Sequence, residues 1–323
     1  MRLNSVCILV LFTTLALACT KSTTTAEVRL GNPSAVANGT SGEPGRVEQE
    51  LEQRLKAISE RGQGIVGLSV VHIESGKTIS INGNSQLPLY SVFKLPLAIA
   101  VLKEVEENRL RLDQQVQLTP AEIVPGTPQN TALWRKPINY SIERLVEFAI
   151  SRSDNTSAEK LLQLVGGPLK VTEQMRALGF QNLDIHSTGT EYIKTRQNPN
   201  IGSAEDLAKL LVQLHQGKSL QVAHTNLLVG FMQRATTGLH RLRGDLPAGT
   251  VVADKTGSGE RNDATGTAKA TNDVGIITLP ANRGHLAIAI LVSESKLPDA
   301  AQEKLIAELA RAAYDAYATT PAN

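Results

Sequence analysis

Strand-like periodicity lies at the two ends of the folded part of this chain, and helix-like periodicity fills the space between them. Near the start, "GIVGLSVVHIESGKTISING" holds two β-rich runs joined by Ser75-Gly76, a hairpin signal. From Val92 to about Phe231 apolar residues recur at helical steps, in "LAIAVLKEVEENRL", "IERLVEFAIS", "AEKLLQLVGG", "VTEQMRALGF", "AEDLAKLLVQLHQG" and "TNLLVGFM". Strand character returns only in "GTVVADKTGSG", "NDVGIITLP" and "HLAIAILVSES". Val47, Leu51, Leu55 and Ile58 mark an amphipathic helix before the first strand, and the segment from Ala300 to Tyr317 closes the chain as another. Two strands at one end and three at the other must share a sheet. The expected fold is therefore α/β: an antiparallel five-stranded sheet flanked by the terminal helices, with an all-helical lobe inserted between its second and third strands. On this reading residues 46–88 and 235–318 form the α/β lobe and residues 89–234 the helical lobe. A groove between two such lobes is a usual place for a ligand.

The chain has 323 residues, of which 41% are hydrophobic, enough to build one composite domain around a real core. Its 33 basic and 31 acidic side chains are mixed along the sequence, with no basic block of the kind that tracks phosphates, so nucleic acid is not an expected partner. Residues 1–18 read as a removable leader: Arg2, an apolar run from Val6 to Ala18 too short to span a bilayer, then small residues. Ala16-Leu17-Ala18 fits an ordinary signal peptidase site, while Cys19 after Leu17-Ala18 resembles a bacterial lipobox, the reading favoured here. Cys7 leaves with the leader, so the mature chain keeps at most Cys19 and has no internal disulfide. Lipidation of Cys19 explains why that one cysteine stands at the new terminus. Residues 19–45, rich in Ser, Thr, Gly and Ala, read as a flexible tether. The expected product is an exported, periplasmic, membrane-anchored monomer.

Chemistry enters at Ser91-Val92-Phe93-Lys94. A serine hydroxyl must lose its proton as it attacks, and Lys94, one helical turn on, lies on the same face as Ser91. The spacing alone is not selective, because Ser157/Lys160 and Ser293/Lys296 repeat it. A lysine accepts a proton only if burial or a second cation lowers its pKa. Lys255 in "VVADKTGSG" supplies that cation, followed by Thr256 and Gly257 where backbone must pass close to a ligand. "ISRSDNTSAEKLL" adds Ser153, positioned to relay a proton, Asp154, expected to brace its loop, and Asn155, expected on a substrate amide.

Ser91-x-x-Lys94, Ser153-Asp154-Asn155 and Lys255-Thr256-Gly257, in this order, resemble the three-motif signature of class A β-lactamases and penicillin-binding proteins. The resemblance runs from about residue 47 to 317 and is closest to the class A branch in "RLRGDLPAGTVVADKTGSGE" and "ATNDVGIITLP". It implies that Ser91 is acylated by a β-lactam, that Lys94 is its base or proton relay, and that Ser153 protonates the β-lactam nitrogen. It further implies that Lys255 and Thr256 hold the substrate carboxylate and that the backbone N–H groups of Ser91 and Ser258 form the oxyanion hole. Arg241 fills the family's carboxylate-arginine position before "LPAG", and Arg243 reads as a structural surface arginine.

Class A enzymes deacylate with a glutamate on a loop between the second and third motifs. Glu191 is the acid in that place, since Glu205 already belongs to the next helix, although Thr195 stands where the family often has a water-binding Asn. No cofactor is implied. The six histidines show no metal-ligand spacing, so no metal site is expected. Trp134 is expected to pack in the helical lobe. Two other readings stay open: a penicillin-binding or D,D-peptidase-like protein that deacylates poorly, and a non-catalytic envelope binding protein.

Overall fold

A computed structural model describes residues 45–128, 132–197 and 199–319. The leader, Cys7, Cys19 and the tether up to residue 44 lie outside the described residues. Helix α1 (Arg46–Ser59) is followed by the hairpin β1 (Ile65–His72) and β2 (Thr78–Ile81), whose turn is closed by Gly76, N–H bonded to the His72 carbonyl at 2.8 Å. The helical segment comprises α2 (Lys94–Glu106), α3 (Ile142–Ser151), α4 (Asn155–Leu164), α5 (Pro168–Ala177), α6 (Gly189–Thr195), α7 (Ala204–His215) and α8 (Val222–Gln233). Strands β3 (Val252–Ser258), β4 (Thr271–Thr278) and β5 (His285–Ser293) then precede α9 (Asp299–Thr319).

The five strands form one antiparallel sheet in the order β2-β1-β5-β4-β3, so the first and last parts of the sequence meet between β1 and β5, with Leu68 opposite Ile290. This is the expected closure. Both faces of the sheet are covered, and the alternation along β5 shows how. Leu286, Ile288, Ile290 and Val292 pack with Leu51 and Leu55 of α1 and Leu305, Ile306 and Leu309 of α9, while Ala287, Ala289 and Leu291 join the core of the helical lobe. A strand buried on two sides reads as a continuous apolar run, which is why "HLAIAILVS" lacks polar alternation.

Helix α2 is the centre of the helical lobe. Every residue from Lys94 to Leu102 is buried, apolar on all sides apart from Lys94. Two short β-ribbons also occur within the expected helical block: Gln115–Leu118 with Ile138–Ser141, and Leu183–Asp184 with Ile201–Gly202, which pairs on with Leu87–Pro88. Strands of two to four residues carry too little periodicity to be seen in sequence. Among the described residues no helix is long and apolar enough to cross a membrane.

Candidate active site

Ser91 sits on a 3₁₀ turn, Tyr90–Phe93, and α2 begins only at Lys94. The α-helix proper thus begins three residues after Ser91, and the Tyr90 backbone just before the serine is left-handed, with φ +46°. Gly257 makes the approach of β3 to this turn feasible. A Cβ there would collide with the Leu89 carbonyl and stand 3.1 Å from the Val92 nitrogen. Ser153 is also held left-handed, at φ +57°, just before α4. Asp154 caps that helix by accepting from the Ser157 N–H at 2.6 Å, the bracing role expected of it, and Asn155 is the helix's first residue.

The three motifs converge. Lys94 Nζ lies 3.2 Å from Ser91 Oγ and 3.3 Å from Ser153 Oγ, and Lys255 Nζ lies 3.0 Å from the same Ser153 hydroxyl. Lys94 Nζ also donates to the Ser153 carbonyl at 2.5 Å and to Asn155 Oδ1 at 2.6 Å. These last two oxygens can only accept, so they take two of the amine's hydrogens, and in a neutral amine the lone pair is then left for Ser91. The amine is in fact driven towards that form. Burial, followed by the charge of Lys255, holds Lys94 well below the usual lysine value, and burial pushes Lys255 down to about 7. Both side chains are 1% exposed, so neither charge has water to support it.

Ser91, Asn155 and Ser258 line one cleft of about 210 Å³ between the lobes, which brings the two expected oxyanion residues to a common space. The remaining expected residues stand around it. Thr256 is buried, with its hydroxyl 2.6 Å from that of Thr237. Asn155 is engaged on both sides, by Lys94 and by the Pro125 carbonyl, so its first task here is to position the lysine.

Arg241 does not open into the cleft. Its guanidinium is buried behind β3, donating to the carbonyls of Gly257 (3.1 Å) and Asn272 (2.9 Å), to Glu303 (3.1 Å) and to Ser258 Oγ (2.7 Å). Its reach to the cleft runs through Ser258. Arg243 is structural as expected but not superficial, since it pairs with fully buried Asp254. Glu191 is exposed on α6 while its neighbours Thr188, Gly189, Tyr192 and Ile193 line the cleft. The helical phase of α6 presents those residues and turns Glu191 to solvent. Trp134 is 41% exposed, bonded to the Pro128 carbonyl rather than packed inside.

The two decoy spacings are structural: the Ser157 N–H donates to the capping Asp154 and Lys160 pairs with Glu122 at 2.6 Å, while the Ser293 hydroxyl donates to the Lys269 carbonyl. The sequence reading missed a polar bridge over the cleft. Tyr90 OH lies 3.0 Å from Tyr192 OH and donates to Glu260 at 3.1 Å, and Glu260 is held by Arg196 and Lys269. The adjacency of Tyr90 to Ser91, and of Glu260 to the third motif, was the available signal. The sequence reading also missed that Glu74, His215 and His285 come together, against the expectation of scattered histidines. Spacing rules detect only ligands close in sequence, and these three come from distant segments.

A two-lobed fold whose cleft sets a serine against one buried lysine, joined to a second buried lysine by another serine, defines the serine β-lactamase and penicillin-binding class. Comparison with known proteins narrows this: the profile of the Beta-lactamase enzyme family matches residues 50–317, and the chain belongs to that family, in its class A branch. It is 32% identical over 280 residues to β-lactamase VEB-1 of Pseudomonas aeruginosa, covering 83% of this chain and 89% of the relative. A crystal structure of a β-lactamase from Chitinophaga pinensis DSM 2588 superposes with a TM-score of 0.79 at 36% identity, covering 83% of this chain and 99% of the other. A class A β-lactamase from Bacteroides cellulosilyticus DSM 14838 does so with a TM-score of 0.80 at 27% identity, covering 85% and 99%.

Proposed function

We propose that the chain opens the four-membered amide ring of penicillins and cephalosporins through an acyl-enzyme on Ser91. As Ser91 Oγ attacks the ring carbonyl carbon, its proton passes to the neutral Lys94 amine. The oxyanion takes the backbone N–H groups of Ser91 and Ser258, an interaction whose loss costs about 10²–10³ in rate in comparable sites. The C–N bond then breaks as the Ser153 hydroxyl protonates the leaving nitrogen, and the proton on Lys94 returns through Ser153. Lys255 and Thr256 hold the substrate carboxylate, whose charge draws Lys255 back to its protonated form. Arg241 supports this from behind by fixing Ser258. The observation that carries the reading is the Ser153 hydroxyl shared by two lysines, one of them against Ser91.

The exposed Glu191 supports a second feature, slow release of the acyl group, which brings the chain nearer to the penicillin-binding reading. Purified protein mixed with a chromogenic cephalosporin, followed by both turnover and intact mass, separates these outcomes. The expected record is a burst, a covalent adduct and continuing slower turnover, all absent in Ser91→Ala. A lasting adduct without turnover would make the chain a penicillin-binding protein, and neither signal would leave only a binding protein.

The same proposal extends to the cell: an exported, periplasmic monomer held at the membrane through a lipidated Cys19 and the tether that follows. Loss of Cys19→Ala from the membrane fraction is the expected result. Retention there would contradict the anchor.

A further inference from the structure

At the start of β5, far from the cleft, two imidazoles and a carboxylate from three separate segments come together. One ligand atom from each of Glu74, His215 and His285 lies within 4.8 Å of the others. Glu74 follows β1, His215 ends α7 and His285 opens β5. The two rings lie tilted at 47° to each other with centroids 4.3 Å apart, and the ring nitrogens of His215 make no hydrogen bond among the described residues. The carboxylate is oriented from two sides, since Glu74 accepts from the backbone N–H of His285 and meets its Nδ1, each at 2.8 Å.

The backbone leaves room for that carboxylate at Gly284, where φ is +93° and a Cβ would collide with Glu74. His72 stands nearby but is not a fourth ligand. Its Nε2 lies 2.8 Å from the Arg283 carbonyl, which can only accept, so that nitrogen carries a proton; its Nδ1 takes the Ser75 hydroxyl.

We propose that Glu74, His215 and His285 bind a borderline divalent transition cation such as zinc(II), with water completing a four-coordinate site. Imidazole and carboxylate suit such ions, whose bonds of about 2.0–2.2 Å require ligand atoms about 3.3–3.5 Å apart. Rotation of the exposed Glu74 side chain and small ring shifts supply the difference. The bound ion ties the end of α7 to the sheet, and it takes no part in hydrolysis. Ser258 pairs with Thr271 and Thr271 with Val292, and His285 lies seven positions before Val292 on β5. At about 3.3 Å per residue the separation along the strand is about 23 Å.

The test uses the full chain, purified without a polyhistidine tag, stripped with a chelator and titrated with zinc chloride by calorimetry and with cobalt(II) chloride by visible absorption. Expected are saturation at one equivalent, the strong absorption of four-coordinate cobalt(II), and a rise in Tm with excess zinc. His215→Ala, His285→Ala and Glu74→Gln each weaken binding by at least about tenfold, while His224→Ala binds as wild type. Cephalosporin turnover, measured alongside circular dichroism, stays unchanged in all four variants and shows that they fold. Should an alanine variant misfold, the glutamine replacement at that histidine takes its place. Wild-type protein that binds no zinc saturably, or a His215→Ala/His285→Ala double variant that binds it as tightly as wild type, overturns the proposal. Neither result depends on how the cleft treats β-lactams.

Discussion

Strand β3 carries two buried charge clusters side by side, and they resolve the same physical problem in opposite ways. Lys255 points to Ser153 and Lys94, where two amines share one hydroxyl and no carboxylate forms an ion pair with either among the described residues. Its neighbour Asp254 points away and pairs with Arg243; diagonally across on β4 is Asp273, equally buried and bonded to the Leu242 N–H at 3.1 Å. Asp254 Oδ2 and Asp273 Oδ1 have no other partner, and burial raises both acids, Asp273 further through the charge of Asp254. A proton kept on Asp273 relieves that repulsion and leaves Asp254 ionised for Arg243. Burial thus makes neutral groups of both kinds. In the acidic cluster the neutral group rests beside an ion pair, whereas in the cleft it is a base aimed at a hydroxyl.

The largest expected effect lies in the cleft. Ser91→Ala lowers cephalosporin turnover by about 10⁴-fold or more with the Tm nearly unchanged, because it removes the nucleophile and little packing; substantial residual turnover would transfer the chemistry elsewhere. In the acidic cluster, Asp254→Asn leaves Arg243 facing a neutral group in a buried setting and should cost about 3–5 kcal/mol in chemical denaturation. Asp273→Asn, which replaces a group already neutral and keeps an acceptor for Leu242, should cost less than about 1 kcal/mol. Equal costs at the two positions would break the distinction between them.

The two clusters also differ in the sign of their pH dependence. Lys255 is lowered from 10.5 to about 7, so over that interval the unfolded chain binds a proton that the folded chain does not, and this group's contribution to stability rises with pH. It is complete above the ordinary lysine value and lost as pH falls towards 7. The raised Asp273 behaves oppositely: its contribution is complete below the ordinary carboxylate value and lost as pH climbs through its folded-state value. The Tm advantage of Lys255→Met over wild type should therefore shrink between pH 7 and pH 10, and an advantage that grows would contradict the assignment. The smallest effect is expected at Glu191→Gln, where an exposed side chain leaves the deacylation rate within about twofold of wild type. Accumulated acyl-enzyme in that variant would mean that α6 turns Glu191 inward when substrate binds.

These contrasts also mark what the sequence made legible. The order of strand and helix periodicity foretold the sheet that joins the two ends of the chain, and three short motifs foretold which serine meets which lysines. Side-chain aim was not legible. Whether Glu191 or Tyr192 faces the cleft depends on the phase of a seven-residue helix, and Arg241 reads the same whether it meets a ligand or the back of β3. Glu74, His215 and His285 were hidden for a different reason: their proximity exists only once β1, α7 and β5 have packed. Residues fixed by local spacing could be read, and those fixed by packing could not.

The central claim is that Lys94 is held neutral so that its lone pair can take the Ser91 proton. Its most direct test is the acylation rate constant from the burst phase, measured against pH. Acylation should reach its plateau below the ordinary lysine range, fall at lower pH as Lys94 takes up a proton, and lose that limb in Lys94→Ala together with most of its rate. A rate that goes on climbing through the ordinary lysine range, as an unperturbed lysine base would give, would contradict it.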